Sequence, residues 1–409
     1  MTGGPRNLST DVLVIGAGPA GLMAARECAA GGLGTIVVEK KKEIGSPVQT
    51  SGATYIAEVR RYGVPSSLLH RVEHIRFLSS REEARFRNEK EGIAVLDVRG
   101  TLQFLAEQAV AKGARLYPAT RALEPVLNRG VVQGAVVLTP QGARQTIEAG
   151  VTIDATGLAS ISARRVLGFP GFRRFGVGLE YDLYAPRWPQ EEFVLAVGSD
   201  IAPTGYAWVF PWGRARVRVG VGVTYPEGQG VDLQACLERF IEKDRRFSAP
   251  LAGSGCIEVH KGFIPDEAFP HEPAADGLLI IGDAAGQASA LAGEGIRFCM
   301  EMGFLAAGAA REAVRKGDPS KAVLAKAHAA WRKKHGRNFR IALEINKRMA
   351  SFSDAQWDKA VQVLRRLSSR QFLQFLKTDF TLGLFLGVLA RNPGLAKKAL
   401  VRRVLKDLT

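Results

Sequence analysis

The chain has 409 residues, 46% apolar, 23% charged and 8% aromatic, the proportions of an ordinary globular protein of two or three domains. Disordered, fibrous and multi-spanning membrane chains are excluded. The anomaly is charge: 56 Lys and Arg stand against 40 Asp and Glu. Residues 331–409 hold 18 basic and 5 acidic side chains, so +13 of the net +16 lies in the last 79 residues.

Residues 11–15 (DVLVI) read as a buried strand, followed by a glycine turn (GAGPAG) and an Ala- and Leu-rich helix. Residues 35–39 (TIVVE) form a second buried strand closed by an acid. Strand, turn, helix and acid stand in the order of a dinucleotide-binding unit. Gly16 makes the tight turn, Gly18 lets backbone approach a pyrophosphate, and Gly21 permits close packing of helix on strand. Pro19 and Ala20 open the helix, whose N-terminal amides and partial positive charge favour phosphate. Glu39 is placed to accept from a ribose hydroxyl, and an acid there favours an adenosine ribose without a 2′-phosphate.

The pattern is irregular from Lys42 to about Asp97, then helical over 99–112, then alternating over 115–127 and 131–139. Residues 151–154 (VTID) read as another buried strand, ended by Ala155-Thr156-Gly157. Residues 170–265 alternate, are rich in Gly and aromatics, and predict an antiparallel sheet. Residues 278–281 (LLII) return to a buried parallel-type strand, ended by Gly282-Asp283. A long helix is expected over 295–316, and from 320 onward the chain is helical and basic. An aspartate at a strand end, Asp283, can hold a ribityl chain. The helix start at Gly293, Gly295 and Ile296 can present amides to the flavin pyrimidine ring. A nicotinamide cofactor has no ribityl chain, so this second site argues for FAD.

Cys28, Cys236, Cys256 and Cys299 show no CxxC pairing or ligand spacing, so a reducing compartment and no metal site are expected. His70 and His74, four apart, are expected on one helix face without a metal motif. Cys299 reads as a packed thiol. The opening residues lack an apolar run long enough for a signal peptide, and no stretch approaches the roughly 18 apolar residues of a membrane span. The expected location is cytoplasmic, with peripheral association at the inner membrane face.

These motifs resemble the geranylgeranyl reductase family, within the flavoproteins related to p-hydroxybenzoate hydroxylase. The resemblance covers nearly the whole chain. It is carried by GAGPAG with its acid, GSPVQTSG at 45–52, Arg99, DATG at 154–157, GYAWVFP at 205–211 and GDAAG…LAGEGI at 282–296. It implies an α/β fold with a Rossmann-type FAD-binding domain (1–75, 97–168 and 270–325). A substrate domain built on an antiparallel sheet (76–96 and 169–269) and a C-terminal helical region (326–409) complete it. It also implies reduction of C=C bonds in an isoprenoid chain on a lipid, quinone or pigment. Lys40, Thr50, Ser51, Arg99, Ala122, Asp154, Gly157 and Gly282 join the FAD-contacting residues on this basis. The chain has Thr50-Ser51 where relatives often carry a cysteine, and Ala290 where they carry a proline. The missing cysteine leaves the proton donor open.

Tyr206, Trp208 and Phe210 alternate and share one strand face, which Pro211 is expected to end. By spacing alone they suit a protein core equally well. Beside a flavin they would line a slot for the isoprenoid, with Tyr206 or Trp208 at the catalytic centre. Without a second GxGxxG, the electron donor is external, NAD(P)H or ferredoxin. The basic tail is either solvated surface or a face for an anionic membrane, with Leu373, Phe375, Phe380, Leu384, Phe385 and Leu389 as interfacial residues. Nucleic acid is not expected, since no recognition motif accompanies the charge. Alternative readings are a flavin monooxygenase of an aromatic or quinone ring and an electron-transfer flavoprotein serving quinone. A flavin-dependent halogenase is disfavoured by the absence of lysine from 43–89.

Overall fold

The computed structural model describes residues 8–89, 92–269 and 272–392. Apolar runs without polar alternation are stable as strands only when both faces are covered. Leu8–Ile15 accordingly lies inside an eight-stranded sheet, parallel to Thr35–Val38 on one side and to Arg144–Asp154 on the other. Leu278–Ile280 extends the parallel set, and Arg121–Asn128 with Val131–Leu138 form an antiparallel arm. Val12, Leu13 and Val14 have no solvent exposure. Helices Pro19–Ala30 and Ile296–Lys316 join Val12 and Val14 in one apolar cluster. At Gly303 a Cβ would lie 2.4 Å from the Ala20 carbonyl oxygen, so the two helices meet at backbone contact.

The second sheet has seven strands: Gly255–Pro265, Phe175–Tyr184, Arg216–Tyr225, Ala202–Gly213, Glu192–Gly198, His74–Leu78 and Glu83–Arg87. Its pairs are antiparallel, as alternation predicted, except Glu192–Gly198 with His74–Leu78, which is parallel. One face packs on helices Leu233–Glu242 and Arg245–Leu251 through Leu179, Val194, Ala207 and Val219. The other carries Phe77, Phe86, Trp208 and Phe210 against Trp357, Val361 and Phe372 of helices Asp354–Leu364 and Ser369–Leu376. The latter helix opens with a capping box in which Ser368 and Gln371 satisfy each other's backbone amides.

Four expectations are corrected. His70 and His74 are not on a helix: they lie on separate strands, Leu69–Arg71 and His74–Leu78, and the His70 Nε2 lies 2.6 Å from the Gln190 carbonyl oxygen. Pro211 does not end its strand, which runs to Gly213 with Pro211 opposite Val217. The segment 76–96 divides between sheets, because Ile93–Leu96 pairs with Ala53–Tyr55 and Leu69–Arg71 in a three-stranded sheet. The apolar residues named for the basic tail pack largely on the protein: Leu373, Phe380 and Leu384 are buried and Phe375, Phe385 and Leu389 half-buried, whereas Leu382 and Leu386 beside them are exposed. The expectation for 393–409 lies outside the described residues. Among those described, no helix is long and apolar enough to cross a membrane.

Candidate active site

A cavity of about 1520 Å³ lies between the two large sheets. That exceeds the roughly 300–1,000 Å³ that holds one small ligand, so a dinucleotide and a second molecule can share it. Its polar end is the first glycine turn. Gly16, Gly18, Pro19, Ala20, Glu39, Lys40, Ala122 and Gly157 line it. Helix Pro19–Ala30 starts at Gly18 without a side-chain cap, leaving its first amides for a ligand. The Glu39 carboxylate accepts from the Ala17 amide at 2.8 Å and the Lys41 amide at 2.9 Å, clasping the turn to the second strand. Gly21 does not line the cavity. A Cβ there would sit 2.0 Å from the Gly16 carbonyl oxygen, so it serves packing of the helix start on the turn.

The middle of the cavity is formed by Thr50, Ser51, Gly282, Asp283, Gly293, Gly295 and Ile296. Helix Ile296–Lys316 also begins without a side-chain cap, at Gly295, so a second positive helix end faces the same space. The Gly282 amide donates to Gln287 Oε1 at 2.6 Å, and Gln287 Nε2 lies 3.5 Å from His328 Nδ1. The other His328 nitrogen, Nε2, lies 2.8 Å from the Ile280 carbonyl oxygen, and burial pushes the imidazole down to about 4. This chain holds the Gly282 turn with a neutral ring. Burial raises the Asp283 carboxyl to about 6, and the Cys299 thiol lies 3.7 Å from it. Arg297, itself buried, fixes the glycine turn from behind: it donates to Glu294 at 2.7 Å and to the Lys377 carbonyl at 2.6 Å.

Beyond this point the walls become apolar. Tyr206 and Trp208 line the cavity, but Phe210 and Pro211 do not. Phe210 stacks on Phe193 at 4.0 Å between ring centroids, inside the aromatic core. The Tyr206 hydroxyl donates to the Ala292 carbonyl at 2.7 Å and burial pushes the phenol above its ordinary value. Through this bond Tyr206 pins the 292–293 turn. Trp208 Nε1 donates to Glu180 at 2.7 Å. Its ring rests on glycines: a Cβ would come within 2.3 Å of it at Gly220, 3.3 Å at Gly222 and 3.4 Å at Gly178.

Two further expected contacts fall elsewhere. Arg99 does not line the cavity; it pairs with Glu43 at 2.9 Å and donates to Ser46 Oγ at 2.9 Å, tying down the loop that carries Gly45. Asp154 has no exposure and caps its own loop, accepting from the Thr156 amide at 3.0 Å and the Ser162 amide at 2.7 Å. Both shape the cavity rather than face it.

Sequence reasoning missed three features. The distal wall comes from the C-terminal helices, through Phe352, Leu364, Leu367, Phe375, Phe385 and Val388. Apolar stripes at helical spacing were the available signal. The glycine seat of Trp208 was visible as alternating glycines at 176 and 178 and at 220 and 222. The buried Glu180 and His260, 2.8 Å apart on the wall, carried no local motif.

Asp266 also faces the cavity, and burial raises its carboxyl to about 7 against the opposing charge of Arg174. A raised acid is best tolerated protonated, so the native state loses stability as pH climbs from the unfolded value of about 4 toward 7. Asp266→Asn is expected to match the parent at pH 4 and to exceed it at pH 8 by up to about 4 kcal/mol, at 1.36 per unit. Urea unfolding at the two pH values measures this, and an equal difference at both would refute it.

Two family models match the chain: an FAD dependent oxidoreductase over residues 11–166 and a geranylgeranyl reductase catalytic domain over 178–263. A digeranylgeranylglycerophospholipid reductase of Methanosphaerula palustris is 33% identical over 360 residues, covering 81% of this chain and 85% of its own. The chain belongs to the geranylgeranyl reductase family. A second relative, a digeranylgeranylglycerophospholipid reductase 2 of Methanothermobacter thermautotrophicus, is 30% identical over 90% of this chain and 95% of its own. A geranylgeranyl bacteriochlorophyll reductase-like structure from Thermoplasma acidophilum matches with a TM-score of 0.86 at 25% identity, covering 99% of this chain and 100% of that one. A p-nitrophenol 4-monooxygenase of Pseudomonas putida and a flavin-dependent brominase share the fold alone, at TM-scores of 0.70 and 0.67 and 17% and 16% identity.

This geranylgeranyl reductase family member is an FAD-dependent oxidoreductase, and its cavity fits that cofactor. Two uncapped helix starts, at Gly18 and Gly295, face one continuous space that the half-buried Asp283 also lines.

Proposed function

We propose that the enzyme saturates C=C bonds of a geranylgeranyl-type isoprenoid chain on a lipid. The observation that carries this is the continuity of the cavity from the glycine turns into an arm walled by Tyr206, Trp208, Trp357, Leu364, Phe375 and Leu384. An unbranched ring substrate needs no such length, whereas a polyisoprenoid is apolar along its whole chain. The names of the curated relatives, which describe digeranylgeranylglycerophospholipid reductases, agree with a phospholipid.

In this reading Gly16, Gly18, Ala20, Glu39 and Lys40 hold the adenosine and pyrophosphate part of FAD, with Asp283 on the ribityl chain and Gly293, Gly295 and Ile296 at the flavin ring. Bound and reduced, FAD supplies the hydride. The protein orients the chain against it: the aromatic strand and the C-terminal helices exclude water and present one double bond at a time. The electrons come from an external donor, NAD(P)H or ferredoxin. Arg348 and Lys359, exposed on the same wall, suit an anionic headgroup left outside the apolar arm. The same cations favour recruitment to an anionic membrane surface.

The test is incubation of the FAD-loaded, chemically reduced protein with a digeranylgeranyl phospholipid in anionic vesicles. Mass spectrometry should show gains of two hydrogens per bond reduced. Oxygenated lipid, or no change in lipid while an added quinone is reduced, would overturn the proposal in favour of a monooxygenase or an electron-transfer flavoprotein.

A further inference from the structure

Saturation of a double bond takes a proton as well as a hydride, and the family's usual cysteine position is occupied here by Thr50-Ser51. Among the other acids on the cavity wall, Tyr206 is committed to a backbone carbonyl, and burial raises the Cys299 thiol well above its ordinary value. A different group of side chains connects the wall to solvent. His260 is 3% exposed and its two ring nitrogens face two carboxylates: Nδ1 lies 2.8 Å from Glu180 Oε1 and Nε2 lies 3.1 Å from Glu258 Oε2. The Glu258 side chain is 43% exposed, whereas that of Glu180 is 4% exposed. Glu180 and His260 line the cavity; Glu258 does not.

The alternation of strand side chains explains the arrangement. Glu180 and His260 are directly opposite in the pairing of Phe175–Tyr184 with Gly255–Pro265, and Glu258 stands two residues before His260 on the same face. Trp208 Nε1 holds the second oxygen of Glu180 at 2.7 Å, so the carboxyl is fixed beside the aromatic wall.

We infer that Glu258, His260 and Glu180 form a proton relay for the double bond in the cavity, in which Glu258 holds the His260 imidazolium and Glu180 is the inner end. This rests on the reductase reading above. Glu180 gives a proton to one alkene carbon as the hydride reaches the other, so the π pair and the two hydride electrons end as two C–H bonds. His260, protonated on both nitrogens, passes its Nδ1 proton to Glu180 across the 2.8 Å contact; the neutral ring keeps its Nε2 proton against Glu258 and takes a new one at Nδ1 from water as product leaves the cavity. Each turnover thus takes one proton from solvent and leaves the relay unchanged.

The charges around His260 set the pH range. Burial opposes the imidazolium, Glu180 and Glu258 favour it, and Arg218, from the neighbouring strand Arg216–Tyr225, opposes it; the net direction is upward from the ordinary value. Asp182 lies beside Arg218 at 3.7 Å and shares its charge, and Arg99 and Arg216 act on Glu258 from outside. A relay that starts protonated slows as pH rises through the raised imidazole value.

Three variants test this: Glu258→Gln at the exposed end, His260→Gln, and Asp266→Asn as the rival proton source. In wild type, imidazole NMR of the cofactor-free chain should show His260 titrating above 6.5, and Glu258→Gln should lower it. With loaded enzyme, Glu258→Gln should move the alkaline limb of kcat to lower pH by the same amount, with KM and FAD affinity unchanged. His260→Gln should lower kcat on the order of 10²-fold, the usual worth of a positioned proton donor. A His260 that titrates below 6.5, or an unchanged limb in Glu258→Gln, would overturn the relay. So would a limb abolished by Asp266→Asn alone. Failure of wild type to reduce any prenyl lipid would instead count against the reductase reading, and the NMR titration would still decide the relay.

Discussion

Gly21→Ala is expected to give a protein that no longer retains FAD and unfolds more readily than the parent. The added Cβ would lie 2.0 Å from the Gly16 carbonyl oxygen and 3.2 Å from the Ala155 Cβ. A backbone atom cannot swing aside as a flexible side chain can. Helix Pro19–Ala30 cannot retreat either, because Ala20 on its other side already touches the helix Ile296–Lys316 at Gly303. The turn must therefore open, and the amides of Gly18 and Ala20 leave the place proposed for the pyrophosphate. Overpacking of this kind costs the fold about 1–3 kcal/mol, and the displaced amides weaken FAD binding in addition. Isothermal titration with FAD measures the loss. Wild-type affinity in this variant would show that the turn is more compliant than its contacts imply.

Phe372→Ala is expected to destabilise the protein by about 3–5 kcal/mol, the range for a fully buried aromatic that leaves a cavity behind. Phe372 has no exposure, stacks on Phe86 at 3.8 Å and meets the edge of Phe77 at 5.8 Å. It joins helix Ser369–Leu376 to the seven-stranded sheet, and that helix supplies Phe375 and Leu376 to the cavity. Prenyl-lipid turnover should fall more than FAD affinity, since the affected wall lies away from the glycine turns. Equal loss of both would indicate collapse of the whole fold rather than of the distal wall. The same packing argues against reading residues 369–391 as a detachable membrane anchor.

The polar end of the site was legible because local chain geometry makes it. A turn that must approach a phosphate needs Gly16 and Gly18 at fixed spacing, and the strand, helix and acid around them are contiguous in sequence. Asp283, Gly293 and Gly295 line the same cavity, each beside a glycine-rich turn visible in the sequence. Arg99 and Asp154 were assigned by resemblance to the cofactor, yet their side chains close on Glu43, Ser46 and their own loop. Position along the chain placed them near the site; only side-chain direction could show which way they face.

The substrate side was far less legible. Tyr206, Trp208 and Phe210 share one face of a strand, but the first two line the cavity and the third is stacked away on Phe193. Period-two alternation fixes a face and says nothing about what covers each part of it. Glu180 and His260 are 80 residues apart in sequence and meet only because two strands pair in register.

By itself, then, the sequence determined the cofactor class, the Rossmann unit, the antiparallel sheet and the excess of charge toward the C-terminus. Each follows from interactions among near neighbours or from composition. Only the tertiary structure decided what the C-terminal segment is for. Within residues 354–391, Lys359, Arg365, Arg366, Arg370 and Arg391 are exposed while Leu373, Phe380 and Leu384 turn inward, because burying apolar area is favourable and burying unpaired charge is not. Residues within 354–391 line the far wall of the cavity.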